Sequence, residues 1–123
     1  MRKWTLFSSA ILLIAFGAFA ARSLRAQDLA KVSPAQTQVM LDNDKVRVLK
    51  LVYKPGEKVP LHSHPAVVVI YMTPCKSTFH STDGEAGEHE LAAGTVRWSP
   101  GTTHVNENTG TTVCEVMLIE LKK

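Results

Sequence analysis

Beyond residue 26 the sequence lacks helical periodicity, since no stretch spaces its apolar residues three and four apart as an amphipathic helix would. That leaves no basis for a helical bundle. A clustered Lys/Arg stripe is also missing, which removes nucleic acid from the expected partners. The formal net charge of +3 does not argue otherwise. Of the 14 Lys and Arg, four (Arg2, Lys3, Arg22 and Arg25) precede residue 27, whereas all 11 acidic residues follow it. The remainder, with 10 basic against 11 acidic side chains, is close to neutral. Cysteine is scarce, with only Cys75 and Cys114. Neither follows the N-terminal apolar stretch closely, so a lipid-modified N-terminal cysteine is not available.

The segment before residue 27 differs in kind from the rest. Met1-Arg2-Lys3 carries positive charge, and Trp4 to Ala21 carries none and is rich in Leu, Ile, Phe and Ala. A charged n-region followed by an apolar h-region is the pattern of a secretory signal. The small-x-small box Ala18-Phe19-Ala20 places cleavage before Ala21, with Ala26 a second candidate. An uncleaved N-terminal anchor is the rival, and only that form would touch a membrane. The expected location is periplasmic or secreted. An exported chain meets an oxidising compartment, where Cys75 and Cys114 can form a disulfide. The alternative is two buried small hydrophobes, because Cys114 lies in the apolar run Val113 to Leu121 and Cys75 just past Val67 to Met72.

The remaining chain divides into a polar linker, 27–40, with at most one turn or short strand, and one domain, 41–123. Lys45 to Lys54 alternates, with Val46, Val48 and Val52 on one side and Arg47, Leu49, Leu51 and Tyr53 on the other, which predicts a first strand. Pro55-Gly56 ends it. Ala66 to Met72 is a dense β-branched strand, and short strands follow over 76–81, 88–91, 95–98, 104–107 and 111–121, separated by Gly, Pro, Asp and Thr turns. Short strands with turns at close spacing mean an all-β sandwich or barrel. A domain of this size buries a usable but small core, which makes a homodimer through an edge strand or apolar face plausible.

Two stretches carry the chemistry. Pro-Gly-Glu-Lys-Val-Pro-Leu-His62-Ser-His64-Pro65 puts two histidines two apart in an extended strand, hence on one face. Some forty residues on, Trp98-Ser-Pro100-Gly101-Thr-Thr-His104 supplies a third just after a turn. Together these stretches resemble the cupin superfamily, small jelly-roll β-barrels. Its first motif, G-x5-H-x-H-x3-4-E-x6-G, is matched by Gly56, five residues, His62, Ser63 and His64. Its second, roughly G-x5-P-x-G-x2-H-x3-N, is matched by Gly94, five residues, Pro100, Gly101 and His104 with one residue fewer between Pro and His, and by Asn108 after three more. The likeness covers about residues 40 to 121. It departs from the pattern where the glutamate ligand belongs, because Val68 or Val69 stands there, and Cys75 or Lys76 replaces the final glycine.

The resemblance implies a divalent metal held by the three-His subset, His62, His64 and His104, with positions left open for water or substrate. Three neutral imidazoles suit Zn, Fe, Cu, Ni or Mn. Without the carboxylate the set is one negative charge short, which favours Zn, Cu or Fe over Mn. The ligand or substrate implied is a small organic molecule in the barrel, and the chemistry, if any, is of the metal-dependent oxygenase or isomerase kind. A non-catalytic binding or sensing module with a degenerate metal site is the alternative, its histidines being hydrogen-bonded core residues. His80 and His89 are expected to face solvent, with His80 or Glu88 a candidate fourth ligand. Glu57, Glu88 and Glu107 lie near the motifs, but no general base can be identified among them. Asn106 and Asn108 are expected to satisfy turn backbone, and Trp98, Tyr71 and Phe79 to pack in the core.

Overall fold

The computed structural model describes residues 27–123, and the expected signal segment, 1–26, lies outside them. Nine strands follow one short helix: α1 Leu29–Val32, β1 Thr37–Asp42, β2 Val46–Tyr53, β3 Lys58–His64, β4 Val67–Tyr71, β5 Cys75–Ser81, β6 Ala86–Leu91, β7 Val96–Ser99, β8 Thr102–Asn108 and β9 Cys114–Leu121. They form two antiparallel sheets, ordered β1-β2-β9-β4-β7 and β3-β8-β5-β6. This is the expected all-β jelly-roll architecture. Among the described residues no helix is long and apolar enough to cross a membrane.

Alternation along the strands decides what lies between the sheets. In β2 the buried set is Leu49, Leu51 and Tyr53, and in β9 it is Cys114, Val116, Leu118 and Glu120. The two strands pair along their whole length, Val46 opposite Leu121 and Tyr53 opposite Cys114, so their inward rows make one surface that is apolar from Tyr53 and Cys114 to Leu49 and Leu118. Val59 of β3, Val67 of β4 and Cys75 of β5 complete the core. Cys75 and Cys114 are joined by a disulfide, with Cα atoms 5.1 Å apart, which ties the four-stranded sheet to the five-stranded one. The disulfide is therefore formed, and it also belongs to the core, because both cysteines are buried.

The expected linker over 27–40 needs correction. Asp28 caps α1 by accepting a hydrogen bond from the Ala30 amide at 2.8 Å, and Leu29 is fully buried in the core. The Gln27 carbonyl accepts from the Ser63 amide at 2.9 Å, so the chain entering the domain is stitched to β3 between His62 and His64. Thr37–Asp42 then pairs with β2 as an edge strand, with a bulge between Val39 and Leu41. Polar composition concealed all this, because one buried leucine and a set of backbone hydrogen bonds leave almost no periodic signal.

Candidate metal centre

β3 and β8 bring the three histidines together. His62 and His64 are on the same side of β3, and the antiparallel register sets His62 directly opposite His104 on β8. Gly101 permits this approach. Its φ is +122°, and a Cβ there would lie 3.0 Å from the His64 carbonyl oxygen, so the turn before β8 can lie against β3 only with a residue that has no side chain. The three rings stand edge to face, with centroids 4.6 to 5.5 Å apart. One nitrogen of each falls within a common 4.8 Å.

The hydrogen bonds fix which nitrogens face inward. His62 Nδ1 donates to the Pro60 carbonyl at 2.7 Å, which leaves Nε2 without a proton and only 3.0 Å from His104 Nε2. Two nitrogens each about 2.1 Å from one ion and about 90° apart would be about 3.0 Å apart, so this pair already has the spacing of adjacent ligands. His64 Nδ1 lies 3.3 Å from Glu120 Oε1, again leaving Nε2 free. Burial, reinforced by the neighbouring imidazole of His64, pulls His62 down to about 4. Burial together with the other two imidazoles pulls His104 to about 3. Both are neutral at pH 7, the state a metal requires. The donor set fits a borderline-soft transition ion.

No family model matches the chain, and no curated protein matches it. Its fold matches solved structures. A cupin-domain protein of Bordetella pertussis is 27% identical over 71% of this chain and 92% of its own, with a TM-score of 0.65. A cupin family protein from Methanocaldococcus jannaschii, described as a double-stranded β-helix, is 17% identical over 70% of this chain and 78% of its own, with a TM-score of 0.59. A cupin 2 conserved barrel domain protein from Salinispora arenicola is 22% identical over 70% of this chain and 74% of its own, with a TM-score of 0.54. The chain belongs to the cupin superfamily.

In this cupin the histidines open onto a cavity of about 470 Å³ between the sheets. Tyr53, Tyr71, Phe79, Arg97 and Trp98 line it. Val69, one of the two positions where the motif glutamate belongs, also lines it, so no carboxylate enters the cavity from β4. His89, expected to face solvent, instead stacks flat on Phe79, with centroids 4.7 Å apart and planes 4° apart, and accepts a hydrogen bond from Arg97 Nη1 at 3.2 Å. Burial and the Arg97 charge hold His89 below its ordinary value. Trp98, expected in the core, is 58% exposed at the rim. Tyr71, half-buried, packs against the core as expected and also lines the cavity, whereas Phe79 is half-buried cavity wall.

His80 is exposed, as expected, and does not join the cluster. Glu88 lies at the surface 3.4 Å from Lys76, and Glu57 accepts from the Lys54 amide at 2.7 Å, so neither serves the site. Asn108 is buried and spends its side chain on the Tyr53 and Thr112 carbonyls and the Gly110 amide, as expected for a residue closing a turn. Asn106, expected to do the same, lines the cavity.

Sequence reasoning missed two residues beside the site. Glu120 is buried, and its Oε2 accepts from Arg47 Nη2 at 2.9 Å and from Nε at 3.2 Å. Arg47 Nη1 also donates to Asp28 at 2.6 Å. The signal was present in the alternation. Arg47 is in phase with Leu49, Leu51 and Tyr53, Glu120 is in phase with Cys114, Val116 and Leu118, and the two are direct cross-strand partners. Opposite charges at paired inward positions of two apolar strands mark a buried ion pair.

Proposed function

We propose that this cupin is an exported metalloprotein that binds or transforms a small organic molecule at a three-His metal centre. The observation that carries the reading is the convergence of three imidazoles, one nitrogen pair already 3.0 Å apart, at the edge of a cavity of about 470 Å³. Imidazole donors without a carboxylate favour Zn, Cu or Fe over Mn. A bound ion would supply Lewis acidity or oxygen activation. The chain's own residues would hold and orient the ligand. Tyr71, Phe79 and Trp98 suit a flat apolar body, and Arg97 suits an anionic group on it. The buried disulfide supports export, because such bonds form in oxidising compartments.

Metal analysis of untagged protein purified from the periplasm tests this reading. The expected result is one transition-metal ion per chain, lost in His62→Ala and in His104→Ala. A second reading, a non-catalytic binding or sensing module, is favoured by Val69 at a ligand position. It predicts metal-free protein whose melting temperature is unchanged by either substitution.

A further inference from the structure

On the metal-centre reading just given, one charge remains unaccounted for. The motif carboxylate is replaced by valine, yet a different carboxylate, Glu120, is buried next to the cluster, 3% exposed, on a strand that neither motif includes. In the sheet it is the cross-strand partner of Val67, which opens β4, and of Arg47 on β2. Its negative charge therefore enters from β9, close to where the motif would have delivered one from β4.

We propose that Glu120 is a positioning residue for the metal centre, holding His64 with its proton on Nδ1 and supplying from behind the ring the negative charge that the missing motif carboxylate would have given directly. Glu120 is not a ligand itself. Its Oε2 is held by two Arg47 nitrogens, and its Oε1 lies 3.3 Å from His64 Nδ1, which leaves Nε2 of that ring for an ion. A carboxylate in that position sets the tautomer and makes the imidazole a stronger donor. Arg47 keeps the carboxylate in place, and Asp28 balances Arg47. Burial would push the Asp28 carboxyl up, but the guanidinium outweighs it and holds it below the usual range. Burial likewise lowers Arg47, and the two carboxylates more than restore it. With one guanidinium between two carboxylates, the chain Asp28–Arg47–Glu120 carries a net negative charge beside His64.

The test is titration of metal-free protein with Zn(II) against a chelator of known affinity, for wild type and Glu120→Gln, a substitution that keeps the shape and removes the charge. The expected result is a 10- to 100-fold loss of Zn(II) affinity, compared at a temperature where both metal-free proteins are folded because the variant also loses the charge that faces Arg47, and an altered visible spectrum when Co(II) replaces Zn(II). Equal affinity in the two proteins overturns the role of Glu120 while leaving the metal centre standing. Wild type that takes up neither Zn(II) nor Co(II) removes the centre and this role with it. A measurement on wild type alone guards against a variant that fails to fold. Long-range ¹H–¹⁵N correlation is expected to find His64 protonated at Nδ1, and a proton on Nε2 instead overturns the proposal.

Discussion

The two ends of the sheet system are built on opposite plans. Where β2, β9 and β5 meet, inward side chains are closed off from solvent, with Leu49 and Cys114 fully buried and a disulfide spanning the sheets. Where β6 and β7 form the far edges, most residues are exposed, including Val96 at 61% and Trp98 at 58%. The histidines sit on β3 and β8, which pair with each other; β8 runs beside β5, and β3 is the edge of that sheet opposite β6. Stability and ligand access are thus assigned to different strands, and the site takes its rigidity from one end and its opening from the other.

If that division is correct, the largest loss of stability comes from the closed end. The disulfide spans 39 residues, and loop-closure entropy for a loop of that size amounts to about 4 kcal/mol. Cys75→Ser with Cys114→Ser is therefore expected to lower the denaturant midpoint by an amount equivalent to roughly 2–4 kcal/mol, with the metal stoichiometry unchanged once the protein is folded. Loss of metal at a temperature where the far-ultraviolet dichroism is native would show that the disulfide end and the histidines are not separable.

Acid is expected to act on the histidine strands. His62 and His104 sit at about 4 and about 3 when folded, against an ordinary value near 6.5, so the unfolded chain takes up protons first. Stability of the metal-free protein is then full above about pH 6.5 and declines as pH falls towards 4 and 3. The two imidazoles together cost about 2 kcal/mol between pH 6.5 and 5.5. In the double variant His62→Phe, His104→Phe this slope flattens. An unchanged slope would mean that the rings are solvated, and that the centre belongs with the open end.

How far the sequence disclosed this arrangement depends on the range of the contacts. Strand positions and the His62–His64 face could be read from two-residue alternation, a local signal, whereas the meeting of that face with His104 was implied by the cupin resemblance. The packing of Leu29, the Arg47–Glu120 pair and the His89–Phe79 stack depend on which strands become neighbours. Register between β2 and β9, some seventy residues apart in the chain, has no local signature. The phase of Arg47 with the apolar residues of β2 was visible, but its meaning required the partner strand. Trp98 was misassigned for a related reason: an aromatic residue in a strand signals an inward face only if the strand is covered, and β7 is an edge strand.

The smallest effect is expected at that edge, and it gives the sharpest test of the division when set against a core substitution. Leu49→Ala removes a fully buried side chain flanked by β1 and β9 and is expected to cost about 2–5 kcal/mol. Trp98→Ala removes a larger side chain, but one already 58% exposed, so less than half of its apolar area is at stake and the cost is expected to be about 1 kcal/mol. Urea unfolding followed by circular dichroism measures both in the same way. If Trp98→Ala destabilises the protein as much as Leu49→Ala does, then β7 belongs to the core. The cavity wall would in that case be a packing surface, and Trp98 could not be free to meet a ligand without loosening the fold.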